Sequence, residues 1–98
     1  MQYKFSESAD KDMDEIEEHL NQFYSGTSYR FFTALEKKLA TLVDFPYMYP
    51  EYEDDSYFRK ITFGDYLIFY SVDIERNLII IGRIIHSSRD IRNIDYQS

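Results

Sequence analysis

The architecture of this chain follows from residues Leu78–Asp90, which read LIIIGRIIHSSRD. The five isoleucines in this stretch form the most apolar and most β-branched run in the sequence. Such a run is typical of a strand buried on both faces, because β-branched side chains pack well on a pleated surface. The same stretch carries Arg83, His86 and Arg89, and a cation in a buried strand costs free energy unless it is paired or reaches water. The end of this strand is therefore the first candidate for a functional site.

The composition indicates one globular, intracellular domain. A chain of 98 residues with 44% hydrophobic and 18% aromatic residues can bury a modest core, and we expect a single domain over residues 1–98. The absence of cysteine excludes disulfides and thiolate metal sites. No apolar run approaches the roughly 20 residues of a membrane span, and the N-terminus lacks a basic-then-apolar signal region. These features predict a cytoplasmic protein with no membrane partner.

The net charge of −7 is unevenly distributed along the chain. Residues 1–55 hold 5 Lys/Arg and 13 Asp/Glu, whereas residues 56–98 hold 6 Lys/Arg and 5 Asp/Glu. Non-specific attraction to nucleic acid requires several cations on one face, which an acidic chain does not supply overall. The second half can still carry a local positive patch, while the acidic helices keep a small protein in solution.

The first half predicts a strand followed by two helices. A short strand is expected at residues 3–6, and Ser6 or Ser8 can cap the helix that follows. Helical spacing relates the apolar positions Ala9, Met13, Ile16, Leu20 and then Phe23 or Tyr24. Gly26 lies in a break that we expect to stop this helix, with Thr27 or Ser28 capping the next. The apolar face of the second helix consists of Phe31 or Phe32, Leu35, Leu39 and Leu42, and Pro46 ends it near Val43 or Asp44.

The second half predicts a loop, three strands and a short helix. Residues 45–57 read as an irregular aromatic and acidic loop, interpreted either as a binding surface or as a loop lying on its own core. Strands are expected at 58–63 and 66–73 with a tight Gly64-Asp65 turn, then at the isoleucine-rich stretch. Ser88 can cap a final helix with Ile91 and Ile94 facing inward. The fold class is therefore α+β, with the N-terminal strand and helical hairpin on one face of an antiparallel sheet of order β-α-α-β-β-β.

The chain resembles the RelE/ParE family of toxins from type II toxin–antitoxin (plasmid stabilisation) systems. The matching residues span nearly the whole chain: Ser8-Ala9 with Asp12, Phe32, Leu35 to Leu42 with Pro46, RKITFGDYLIFY at 59–70 and RIIHSSRD at 83–90. The Arg83-to-Asp90 ending is more similar to the ParE branch. This branch implies a toxin that causes growth arrest by binding DNA gyrase and is kept inactive by a cognate antitoxin whose C-terminal segment wraps it.

The RelE branch implies a different activity, a ribosome-dependent endoribonuclease that cuts mRNA. That branch places several Lys/Arg residues along the middle strands, where this chain has Glu51, Glu53, Asp54 and Asp55 before Arg59 and Lys60. A third reading is an inactive toxin-fold protein that only binds its antitoxin. No cofactor is expected under any of these readings, and either a homodimer or a toxin–antitoxin hetero-oligomer is compatible with the sequence.

The candidate site residues follow from these readings. If the chain is a metal-independent nuclease, His86 supplies the acid or base and Arg83 holds phosphate. Structural roles are the alternative, with Arg83 paired to Asp90 or Asp65 and His86 bonded to a backbone carbonyl. Target or antitoxin binding is expected of a larger set: Arg59, Lys60, Tyr70, Arg83, His86, Arg89 and Tyr96. Zinc is not expected, because His19 and His86 lack metal-ligand spacing.

Overall fold

The structure, a computed structural model, describes residues 1–89, which form two helices and five strands. The elements, in chain order, are β1 (Gln2–Phe5), α1 (Glu7–Leu20), α2 (Thr27–Asp44), β2 (Glu51–Tyr52), β3 (Asp55–Phe63), β4 (Tyr66–Asp73) and β5 (Leu78–His86). No helix within this part of the chain is long and apolar enough to span a bilayer. The predicted final helix and Tyr96 lie outside the described residues.

The isoleucine-rich strand β5 lies inside the sheet, as predicted. The strand order is β1-β5-β4-β3-β2, with β3, β4 and β5 forming an antiparallel meander. The α+β class and element order are thus confirmed. The sheet is mixed rather than wholly antiparallel, because β1 runs parallel to β5 from Gln2 opposite Leu78 to Phe5 opposite Ile81. A helical hairpin between β1 and the meander provides the long connection that a parallel arrangement needs.

The helices bury their apolar faces against one side of the sheet. Leu35, Leu39 and Leu42 of α2 form a core cluster with Ile79 and Ile81 of β5. Ile16 of α1 and Ile61, Ile68 and Tyr70 of the meander belong to the same cluster. A second, smaller cluster consists of Tyr52, Phe58, Phe69 and Ile85. Successive side chains of a strand point to opposite faces of a sheet, and a one-residue register shift at Gly82 places Ile84 on the same face as Ile79 and Ile81, with Ile85 on the other.

The break between the helices differs from the prediction. Helix α1 ends at Leu20, so Phe23 and Tyr24 lie beyond it and are 60% and 78% exposed. Gly26 does not stop α1 but begins α2, where it is the N-cap residue with φ +88°. Glycine suits this position, because other residues rarely adopt a positive φ. The predicted end of α2 is confirmed at Asp44.

The predicted hairpin is confirmed, and the predicted loop is shorter than expected. Gly64 has φ +57° in the turn between β3 and β4, the conformation that a tight turn requires. Two residues of the expected loop, Glu51 and Tyr52, instead form β2, and β3 begins at Asp55. Strand β3 begins as early as Asp55, despite the acidic side chains, because β2 pairs with it: Glu51 lies opposite Arg59 and Tyr52 opposite Asp55.

Candidate functional site

The end of β1 leaves part of β5 without a neighbouring strand, and side chains from the start of α1 take the place of that strand. The last pair of the ladder is Phe5 with Ile81. Ser6 then donates its backbone N–H to the Ile81 carbonyl (2.9 Å) and its hydroxyl to the Gly82 carbonyl (2.7 Å). Farther along, the Ile84 N–H donates to Oδ2 of Asp12 (2.9 Å). These bonds satisfy backbone groups that would be costly to bury unpaired.

Asp12 also holds the guanidinium of Arg83 in a two-pronged ion pair. Arg83 Nε lies 2.7 Å from Asp12 Oδ2, and Nη2 lies 2.9 Å from Oδ1. The two side chains are only 15% and 7% exposed. Such planar, bidentate pairing is the strong form of a salt bridge. Arg83 therefore has the acidic partner that its position in a buried strand demands, and that partner is Asp12.

A bulge in β5 brings Arg83 to this position. Ile81 pairs with Tyr70 and Arg83 pairs with Phe69, so Gly82 has no partner residue on β4. A bulge of this kind bends a strand and redirects the side chains that follow it. The bulge comes immediately after the last β1 pair, where Asp12 approaches the strand.

His86 ends β5 with its side chain exposed. Its ring meets the ring of Tyr66 edge-on, with centroids 5.4 Å apart. Its Nδ1 accepts the backbone N–H of Ser88 (3.1 Å) and lies 2.8 Å from the Ser88 hydroxyl. An Nδ1 that accepts an N–H bond carries no proton, so the neutral ring carries its proton on Nε2. This bond is to a backbone N–H rather than to the carbonyl considered from the sequence.

A groove of about 240 Å³ lies between α1 and the end of β5. Its lining brings together both histidines of the chain, although 66 residues separate them in the sequence. We name it the two-histidine groove; its lining includes Ile16, His19, Tyr66, Ile84, Ile85, His86, Glu15 and Arg89. Burial, together with the neighbouring charge of Asp65, raises the pKa of Tyr66.

Arg83 and His86 do not line the same cavity. Arg83 lines a second cavity of about 410 Å³, together with Lys11 and Ser8. The two cavities share Asp12, Glu15 and Arg89. The site predicted at the end of β5 thus consists of two adjoining cavities, and the exposed Arg89 lines both. No group of three His, Cys, Asp or Glu side chains within residues 1–89 is arranged to hold a metal ion.

Two residues predicted to bind a partner instead hold the aromatic loop. Tyr70 is fully buried, and its hydroxyl donates to the Pro46 carbonyl (2.7 Å). Arg59 donates to the Tyr49 carbonyl (2.6 Å), and its guanidinium lies 5.0 Å from the centre of the Tyr47 ring. Burial raises the pKa of Tyr70 to about 12. Because it is buried, Tyr70 offers no surface to a partner, which corrects its place in the predicted set.

The aromatic loop lies on its own core and also exposes apolar side chains, so it has features of both interpretations that the sequence left open. Its backbone is held to the core by Tyr70 and Arg59, yet Phe45, Tyr47 and Met48 remain at least half exposed. Lys60 follows Arg59 on β3 and therefore faces the other side of the sheet, where its ammonium lies 5.5 Å from the centre of the Tyr52 ring. The predicted binding residues thus do not form one patch.

Asp12 and His19 are absent from the predicted site residues, for different reasons. Asp12 lies three residues after Ala9 and four before Ile16, on the apolar face of the helix. A carboxylate at that spacing is the signal of a buried partner for a cation. His19 carries no comparable signal, because only the tertiary fold brings it to the groove that His86 lines.

The strand order, the helical hairpin and Arg83 on β5 agree with the fold that the RelE/ParE resemblance of the sequence implies. The family model described as the ParE toxin of type II toxin–antitoxin system, parDE, matches residues 3–91. The chain therefore belongs to the ParE toxin family, which implies an antitoxin as its partner. No curated protein sequence matches this chain.

Proposed function

We propose that this toxin inhibits DNA gyrase by protein–protein binding in the cytoplasm and that a cognate antitoxin neutralises it. The observation that carries the proposal is the buried pair of Asp12 and Arg83 in a chain of the ParE family. The pair neutralises the guanidinium that β5 contributes. A guanidinium bound in this way is poorly available to stabilise the charge of a phosphorane.

Two other cations of the predicted set, Arg59 and Arg89, support the same proposal. Arg59 is bound to the Tyr49 carbonyl and lies 3.8 Å from a carboxylate oxygen of Glu51. Arg89 shares the two-histidine groove with Glu15, whose negative charge disfavours an approaching phosphate. RNA cleavage requires concentrated positive charge around the scissile phosphate. The acidic neighbours of Arg59 and Arg89 partly compensate the positive charge of these side chains.

A supercoiling assay tests the proposal. Purified toxin is expected to inhibit gyrase in proportion to the molar ratio of toxin to gyrase, because a binding inhibitor acts by occupancy. Toxin mixed first with the product of the adjoining reading frame, the expected antitoxin, serves as the control and should leave supercoiling intact. Full supercoiling at a large molar excess of correctly folded toxin would refute gyrase inhibition.

One observation favours the RelE-type nuclease as the second candidate. His86 is exposed beside Arg89 and has Nε2 free of any hydrogen bond described in residues 1–89. This arrangement provides one acid or base and one phosphate ligand. Primer extension on translated mRNA distinguishes the candidates, since a nuclease would produce cuts at codon positions that disappear with His86→Ala.

A further inference from the structure

The two-histidine groove has the shape of a site for one bulky side chain. A cavity of about 150 Å³ is enough to hold a benzene ring, and this groove measures about 240 Å³. The deeper part of its lining is apolar, because Ile16, Ile84 and Ile85 are at most 6% exposed. The rings of Tyr66 and His86, which meet each other edge to face, also line it. An apolar pocket with aromatic walls is the form that the anchor side chain of a protein partner fills.

The negative charge of helix α1, which forms one wall of the groove, favours a partner with basic side chains. Helix α1 holds seven carboxylates and a single lysine, and of these carboxylates Asp12 is neutralised by Arg83. Glu15 and Arg89 both line the groove, and Glu18 lies three residues after Glu15 on the same helix, so the helical wall of the groove is acidic. Positions three apart are neighbours on a helix surface. A partner segment that covers this wall therefore gains from carrying Lys or Arg close to its anchor.

We propose that the two-histidine groove is the docking site of a basic segment of the antitoxin, which inserts one bulky apolar side chain beside Glu15. This inference rests on the neutralisation proposed above. The antitoxin is chosen because family membership implies it as a partner. A segment with an apolar anchor and a basic residue about one helical turn away matches the groove and its acidic wall. The acidity of helix α1 is thereby assigned a role in recognition.

The test is a binding titration of the intact toxin with the purified product of the adjoining reading frame. Glu15→Lys is expected to weaken the complex about tenfold or more and to flatten its dependence on NaCl, because a reversed charge meets a basic segment. Glu53→Lys is the matched control, since Glu53 is also exposed but lies between β2 and β3, at the far edge of the sheet. This control is expected to bind like the wild type. Circular dichroism confirms that both variants fold.

A second variant tests the pocket apart from the charge. His19→Trp places a larger ring in the exposed wall of the groove and is expected to exclude the anchor side chain, weakening binding about tenfold or more. Equal affinities for wild type, Glu15→Lys and His19→Trp would overturn the docking site while leaving antitoxin neutralisation intact. Loss of gyrase inhibition by these variants with unchanged antitoxin binding would also overturn it. Failure of the wild type to bind would overturn the proposed neutralisation and this inference together.

Discussion

Replacing Asp12 by alanine is expected to lower the free energy of unfolding by about 3–5 kcal/mol, the range for breaking a buried ion pair from one side. The variant leaves the Arg83 guanidinium, which is 15% exposed, without this carboxylate. It also leaves the Ile84 N–H of β5 without its acceptor. For a domain of this size a loss of 3 kcal/mol lowers the melting temperature by roughly 12–24 °C. Urea unfolding followed by circular dichroism measures the change.

Asp14→Ala is the matched control for this prediction. Asp14 lies on the same helix but is exposed, so its removal is expected to change stability by no more than about 0.5 kcal/mol. Similar unfolding midpoints for the two variants would mean that the Asp12–Arg83 pair contributes no stability. Arg83→Ala should add little further loss in the Asp12→Ala background, since groups that act as one unit are not additive.

The second large effect is expected at alkaline pH and depends on Tyr70. Its pKa is about 12 in the folded protein, compared with an ordinary value of 10.0. Between these values the unfolded chain loses the phenol proton first, so the folded state binds more protons and stability falls as pH rises. The contribution is complete below pH 10 and is lost by about pH 12, a total of about 3 kcal/mol.

Tyr70→Phe is expected to remove this part of the alkaline loss. At neutral pH the variant should be less stable by about 1 kcal/mol, because the hydrogen bond to the Pro46 carbonyl is lost. Urea unfolding of both proteins at pH 8 to 12 measures the two effects, and Tyr66 is present in both proteins. Tyr57→Phe, at a site 60% exposed, is the control and should follow the wild type. An unchanged slope against pH in Tyr70→Phe would contradict the burial of this phenol.

Elements whose signal lies within their own segment could be predicted from the sequence. The isoleucines of β5, the leucine spacing of α2 and the glycine of the β3–β4 turn each predict their element locally, because the period or the turn chemistry is intrinsic to the segment. The parallel pairing of β1 depends instead on where the helical hairpin returns the chain. Nothing in residues 2–5 alone specifies that direction.

The candidate site was predicted in part, since the end of β5 was identified and the partner of its arginine was not. The bulge at Gly82 redirects Arg83, and a single extra residue in a strand leaves no clear mark on its hydrophobic pattern. Tyr70 was expected at a binding surface, but its hydroxyl donates to the carbonyl of Pro46, 24 positions away in sequence. The spacing of residues along the chain does not reveal such long-range pairings. The Asp12–Arg83 and Tyr70–Pro46 contacts are therefore visible only in the folded structure.

Induced expression of the toxin in growing bacteria tests most directly the claim that it acts by binding gyrase rather than by cutting mRNA. Protein synthesis, followed by pulse labelling, and the DNA-damage response are recorded together, with and without the adjoining reading frame. We expect growth arrest with an early damage response while protein synthesis continues, all reversed by the adjoining frame. An immediate block of protein synthesis that His86→Ala relieves, or growth that continues unaffected by the toxin alone, would contradict the claim.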